Sequence, residues 1–182
     1  VDTTVPAADV TRVLPRDEWV RTLPQTIVAS CVLLLDAEDR MLLLRYAEGQ
    51  PGVGLWGLPG GMLDHGEDPL GAAHRELHEE TGIALEGEPR LIGYDHRADV
   101  KGTGPVIDFY FHGGRLAPGQ TVRRSDEHDQ DGLFALADLE STALAVPLPA
   151  LTALHRAALT GTVVALREGL PTDSPSGPSR RG

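Results

Sequence analysis

Residues 60–83, G-G-M-L-D-H-G-E-D-P-L-G-A-A-H-R-E-L-H-E-E-T-G-I, constrain the fold more than any other stretch of the chain. They read as a loop followed by a helix with both ends marked. Asp68 can cap the N-terminus, and Pro69 suits the first helical position, where its missing N–H costs nothing. Gly82 stands where a left-handed stop is expected. The spacing predicts a helix over residues 69–81. On a wheel of ~100° per residue, Leu70, Ala73, Leu77 and Ala84 share one narrow arc, which is the face to be buried.

Glu80 and Glu76 lie beside that arc, and Glu79 lies just beyond Glu76. Three carboxylates on one edge of a single turn repel one another, at ~0.2–0.5 kcal/mol per i,i+3 or i,i+4 pair. A chain selecting only a solvated face would scatter lysines among them, yet Arg75 is the only nearby base. Clustered hard oxygens are what Mg2+ or Mn2+ needs, and such a cation would cancel the repulsion.

The pattern Gly61-x5-Glu67-x7-Arg75-Glu76-Leu77-x-Glu79-Glu80-x-Gly82-Ile83 resembles the Nudix box at every fixed position. The preceding L-W-G-L-P-G of residues 55–60 looks like the usual lead-in of that family. With residue usage of roughly 5–7% each, the match arises by chance about once in 10^9 windows, so the signal is specific. The resemblance implies an α/β (α+β) fold, an α/β/α sandwich with a mixed central sheet and the box as loop-helix-loop. It also implies hydrolysis of a nucleoside diphosphate linked to a further group X, with water attacking phosphorus and Mg2+ or Mn2+ as cofactor.

Carried over position by position, the resemblance makes Glu76, Glu79 and Glu80 metal-facing, with the Gly61 carbonyl as a further ligand. Glu67 can reach the site through water or hydrogen bonds. Arg75 lies ~40° from Glu79 on the wheel, where a rigid guanidinium fork can orient a carboxylate. Two candidates stand for the general base: Glu79 within the motif, and Glu127 in a later loop. Arg45, Arg97, Lys101, Arg123 and Arg124 are candidate phosphate contacts. Trp56 is a candidate substrate contact, although a core or loop anchor is the simpler reading. His65, His74, His78 and His128 do not have zinc spacing and read as helix or loop surface.

The chain of 182 residues reads as one domain, residues 25–170, with an N-terminal extension over 1–24 and a Pro/Ser/Gly/Arg-rich, disordered tail over 171–182. A formal net charge of −11 opposes a nucleic-acid polymer or an anionic membrane surface as partner. A small phosphorylated nucleotide fits if metal and local arginines collect its charge. Relatives in the family are often dimers, so a homodimer is one expectation. Cys31 is the only cysteine, which excludes an intrachain disulfide, and its apolar setting reads as a buried, inert thiol. No apolar run is long enough to span a bilayer, and no basic-then-apolar leader is evident, so the expected location is the cytoplasm.

In chain order, residues 1–9 read as loose. Residues 16–23 read as a short helix with Trp19 and Val20 packing on the domain, ended by Pro24. Residues 26–35 and 41–45 read as strands joined by a polar turn, and residues 46–54 as a glycine-rich loop. Residues 89–97 and 106–112 read as further strands, the second ended by Gly113-Gly114. Residues 121–132 read as a charged loop before a short strand over 133–136. Asp138 caps a short helix, residues 148–159 form a terminal helix, and residues 161–170 form a last strand or hairpin. The sequence leaves two rival functions. A non-catalytic nucleotide sensor would usually add a DNA-binding domain or lose motif glutamates. An isoprenoid diphosphate isomerase is expected to need a cysteine at the site and usually a degraded box.

Overall fold

The computed structural model describes residues 14–172. The expectation of a loose stretch over 1–9 lies outside the described residues, as does most of the tail expected to be disordered over 171–182; its first residue, Pro171, is instead paired with Leu166 in a hairpin. Among those described, the strands are β1 (Ile27–Leu35), β2 (Met41–Tyr46), β3 (Trp56–Gly57), β4 (Gly60–Met62), β5 (Arg90–Arg97), β6 (Val106–Arg115), β7 (His128–Phe134), β8 (Val164–Arg167) and β9 (Leu170–Pro171). The helices are α1 (Arg16–Arg21), α2 (Pro69–Thr81) and α3 (Leu148–Thr160), with a 3-10 turn over Leu136–Ser141.

One mixed sheet runs β3-β2-β1-β6-β5-β8-β9, with β4 added to β1 and β7 to β2. The pairs β1–β6 and β5–β8 are parallel, and the remaining pairs are antiparallel. Side chains alternate across the sheet, so β1 feeds two cores. Val32 and Leu34 join Leu42, Ala73, Leu77, Ile83 and Phe111 beneath α2. Leu33 and Leu35 join Met41, Leu43, Ile92, Leu151 and Leu154 beneath α3. Burial on both faces accounts for the unbroken apolar runs of β1 and β2. Each such leucine contributes ~1.5–3 kcal/mol of burial.

Helix α2 begins and ends where the spacing predicts. Asp68 accepts from the Gly71 N–H at 2.8 Å, and Gly82 closes the helix with φ 70. Ala84 corrects the wheel reading: the helix has already stopped, so Ala84 is exposed and Ile83 turns inward instead. A second correction concerns α1, which buries no residue; Trp19 and Val20 are exposed rather than packed on the domain.

Strand β6 runs through Gly113 and Gly114 instead of ending there. A Cβ on Gly113 would sit 2.7 Å from Val32 and 2.8 Å from Leu85, so this glycine lets the strand pass under its neighbours. Strand β7 starts at His128, inside the stretch expected to be loop, because β2 offers it a hydrogen-bonding edge from Met41 to Tyr46. Asp138 lies within the 3-10 turn and accepts from the Ala135 N–H, and the turn ends at Ser141. The final hairpin forms from β8 and β9, with Pro171 paired to Leu166.

Candidate active site

Two close approaches press the box loop against α2. Strand β4 pairs with Ala29–Cys31 of β1, and Ser30 Oγ donates to the Pro69 carbonyl at 2.7 Å, so β1 holds both ends of the loop. Gly60 has φ 149, and a Cβ there would fall 2.2 Å from the Ser30 carbonyl oxygen. Its N–H donates to Glu80 Oε2 at 2.8 Å. A Cβ on Gly61 would fall 2.4 Å from Glu76 Oε1. Glycine at 60 lets the loop backbone pass against β1, and glycine at 61 lets it approach the Glu76 carboxylate.

Arg75 gathers the acids. Its Nη2 and Nε donate to the Glu67 carboxylate at 2.8 and 3.1 Å, and its Nη1 donates to Glu76 at 2.8 Å and Glu79 at 3.2 Å. Nη2 also reaches the Met62 carbonyl at 3.0 Å, which ties helix to loop. Five donors in a planar fork can serve this many acceptors; an ammonium cannot. The hydrogen bonds from Arg75 hold the Glu67 carboxyl below its usual range, helped by the Asp64 N–H. Burial pushes Glu76 up, against the pull of Arg75.

Glu80 is the buried member, 4% exposed. Burial pushes its carboxyl up to about 8, opposed by the Gly60 N–H and reinforced by the charges of Glu76, Glu127 and Glu79. His128 Nε2 lies 3.8 Å from Glu80 Oε1, and the ring stacks obliquely on Tyr46 with centroids 5.0 Å apart. Burial lowers the His128 pKa, so the ring beside Glu80 is neutral at pH 7.

Among the described residues no three His, Cys, Asp or Glu groups converge into a ready metal cage. Arg75 instead supplies the positive charge that Glu67, Glu76 and Glu79 share. The donor chemistry nevertheless fits a hard divalent ion. Glu76, Glu79 and Glu80 offer only oxygen, and the repulsion raising Glu80 is a cost that a cation would remove.

The other sequence candidates divide. The Glu127 loop folds onto the end of α2: Arg123 N–H donates to the Thr81 carbonyl at 2.8 Å and Ser125 N–H to the Glu80 carbonyl at 3.2 Å. The Glu127 side chain is exposed, and its charge is felt by both Glu76 and Glu80. Arg123 lies exposed over Gly82. Arg45 is engaged by Asp129 through two bonds of 2.7 Å, and Arg124 is engaged by Asp131. Arg97 pairs with Asp108, and Lys101 is exposed in the turn between β5 and β6. Trp56 packs edge-on against Phe134 with centroids 4.8 Å apart, as a core anchor. His65 and His78 are exposed, whereas His128 is buried, which corrects its reading as surface.

A cavity of about 200 Å³ opens beside Gly60 and Gly61. Its walls include Cys31, Tyr46, Asp95, Arg97, Asp108 and Tyr110. Cys31 is therefore half-buried at a cavity wall rather than sealed in the core, and burial pushes its thiol pKa up, which keeps it protonated. Sequence reasoning did not single out Asp95, Asp108 or Tyr110. Their signal was the period of two: Asp95 and Arg97 on β5, Asp108 and Tyr110 on β6, all on one sheet face.

A NUDIX domain family model matches residues 24–154. An RNA pyrophosphohydrolase of Rhizobium meliloti is 50% identical over 54 residues, covering 28% of this chain and 32% of that protein. An ADP-ribose pyrophosphatase of Methanocaldococcus jannaschii is 32% identical over 104 residues, covering 55% of this chain and 61% of that protein. The chain thus spans between 32% and 61% of the length of these two curated relatives. The crystal structure of a MutT protein from Methanosarcina mazei Go1 superposes with a TM-score of 0.63 at 27% identity, covering 75% of this chain and 95% of that one.

Proposed function

The chain belongs to the Nudix family, and from that premise we propose that it is a divalent-metal-dependent pyrophosphohydrolase acting on a small nucleoside diphosphate linked to a second group X. The observation that carries this reading is the gathering of Glu67, Glu76 and Glu79 by Arg75 on the helix edge that also buries Glu80 under Gly60. The relatives named above as RNA pyrophosphohydrolase and ADP-ribose pyrophosphatase share phosphoanhydride cleavage, which supports the same reaction type here. Among the described residues no helix is long and apolar enough to cross a membrane. The catalytic unit is taken as residues 25–170.

Glu76, Glu79, Glu80 and the Gly61 carbonyl would hold Mg2+ or Mn2+. When bound, the ion supplies Lewis acidity and charge neutralisation at the phosphate oxygens. Arg75 fixes the carboxylates so that their geometry need not reorganise as substrate binds. Glu127 or Glu79 takes the proton from the water that attacks phosphorus. The bridging P–O bond then breaks, and its electron pair leaves with the departing phosphate.

The test is a panel of nucleoside triphosphates and ADP-sugars at alkaline pH, scored for phosphate, pyrophosphate and monophosphate. Turnover should vanish with EDTA and return with excess Mg2+ or Mn2+. Full activity after exhaustive chelation would refute the metal dependence, and nucleotide binding without any product would favour a sensor.

A further inference from the structure

Arg75 gathers Glu67, Glu76 and Glu79, and it leaves Glu80 out. Glu80 is held differently. Its Oε2 takes the Gly60 N–H at 2.8 Å, and its Oε1 faces His128 Nε2 at 3.8 Å. The Glu80 and His128 side chains are 5% and 2% exposed, so bulk water reaches neither freely. The imidazole has little room to leave. His128 begins β7, pairs with Tyr46 at the end of β2, and lays its ring on the Tyr46 ring with centroids 5.0 Å apart. Its backbone N–H donates to the Ser125 carbonyl at 3.2 Å, which closes the turn that carries Glu127. Its Nδ1 is buried and has no hydrogen-bond partner among the described residues. A neutral imidazole has one ring N–H to place. On Nδ1 it would be a buried donor without an acceptor, which is costly. On Nε2 it lies beside a carboxylate oxygen, so the Nε2–H tautomer is favoured.

We propose that His128 is a positioning residue: its Nε2–H holds Oε1 of Glu80 while the Gly60 N–H holds Oε2, so that the carboxylate's remaining lone pairs are aimed at the divalent ion. The proposal rests on the reading of Glu80 as a metal-holding residue. The 3.8 Å separation closes to the ~2.9 Å of a hydrogen bond with a movement of about 1 Å, which a turn of the carboxylate supplies. An ionised carboxylate offers about four acceptor sites, so two protein donors leave about two for a cation. A neutral donor suits the task. Burial keeps the His128 ring uncharged at pH 7, so it orients Glu80 without competing for its charge. A guanidinium in the same place would neutralise the charge that draws the cation. The ring also anchors the turn bearing Glu127, so donation and packing have to be tested apart.

Phenylalanine and glutamine divide the two roles. His128→Phe keeps a flat ring on Tyr46 and removes both nitrogens, whereas His128→Gln gives up the ring but returns an N–H donor toward Glu80. Mn2+ binding without substrate, followed by the electron paramagnetic resonance of the free ion, reads metal affinity apart from turnover. His128→Phe should weaken Mn2+ binding about 10–100-fold, the usual cost of losing a partner to a metal-holding group, and His128→Gln should recover most of that loss. A folded His128→Phe protein that binds Mn2+ within twofold of wild type would overturn the proposal and leave the metal reading standing. A folded His128→Gln protein no better than His128→Phe would also overturn it, since the ring and not its donor would then matter. A wild-type protein that binds no Mn2+ would remove the metal reading of Glu80, and this proposal with it. Nitrogen-15 spectra of the wild-type ring, in EDTA and then with Mg2+, decide the matter even if neither variant folds. The proton is expected on Nε2 in both conditions, and a proton on Nδ1 would leave Glu80 without its donor and sink the proposal.

Discussion

Gly61 and Glu76 are fitted to each other: the space a Cβ would occupy on Gly61 lies 2.4 Å from Glu76 Oε1 and 2.7 Å from its Cδ. The glycine is needed for this contact rather than for a turn. Alanine at position 61 must push the Glu76 carboxylate aside and loosen its bond to Arg75. A displacement near 1 Å in a catalytic constellation can cost ~10²-fold in rate. Gly61→Ala should therefore lose about a hundredfold in turnover while circular dichroism stays that of the folded protein. Steady-state kinetics alongside a thermal melt checks this, and a near-wild-type rate would mean that Glu76 has no critical position.

How much of this site could be read in advance depends on how local its causes are. Asp68, Pro69 and Gly82 mark α2 from within the helix itself, and Arg75 reaches Glu76 and Glu79 within one turn, so a wheel suffices. Ala84 shows where the wheel fails, because periodicity continues on paper after the backbone has stopped being helical. His128 and Asp95 were hidden for another reason. Each is polar and sits among charged residues, and each is buried by strands that pair with its own: β7 with β2, far apart in sequence, and the neighbouring β6 together with the distant β8 on β5. The long-range pairings of β7 and β8 leave no local mark, and the period of two on β5 and β6 marks only which residues share a face, not that the face is buried. For the first of these reasons Arg45 looked like a free phosphate contact until Asp129 was brought to it, and Arg97 looked free until the β5–β6 hairpin set Asp108 beside it on the same face.

Arg75→Lys keeps a positive charge but loses the fork. A lysine ammonium cannot hold Glu67, Glu76, Glu79 and the Met62 carbonyl together as Arg75 does. Residues that orient metal-facing groups typically cost 10–100-fold when changed, so a loss of roughly that size in turnover or metal affinity is expected. Titrating activity against Mn2+ separates the two, and an unaltered titration would show that charge alone suffices.

Glu80→Gln should cost turnover by several orders of magnitude and weaken metal binding, yet stabilise the metal-free fold. The sign follows from the raised carboxyl. The unfolded chain loses the Glu80 proton near the ordinary carboxylate value, while the folded chain keeps it up to about 8. Between those values the unfolded state binds fewer protons, so stability falls as pH rises, and it levels off above about 8. Glutamine has no proton to lose and removes the repulsion from Glu76 and Glu79. In EDTA, the wild-type midpoint should drop relative to Glu80→Gln between pH 5 and pH 8, at roughly 2–4 °C per kcal/mol. Parallel pH profiles for the two proteins would show that Glu80 is not strained by its burial.

Glu127→Gln separates the two candidates for general base. The loop bearing Glu127 is pinned to the end of α2 through Arg123 and Ser125, and to the end of β2 through the contact of Ala47 N–H with the Glu127 carbonyl at 2.8 Å. Those bonds are all made by backbone, so the substitution leaves them intact. The side chain is exposed, and its charge is felt at Glu76 and Glu80 without the hydrogen bond to Arg75 that engages Glu79. Its carboxylate is thus free to meet a water, whereas that of Glu79 is held by Arg75. Glu127→Gln should thus lower kcat by about 10²–10⁴-fold, the usual size of general-base catalysis, with metal affinity and KM nearly kept. If the variant turns over within a factor of a few of wild type while Glu79→Gln does not, the base is Glu79, and Glu127 contributes only its charge.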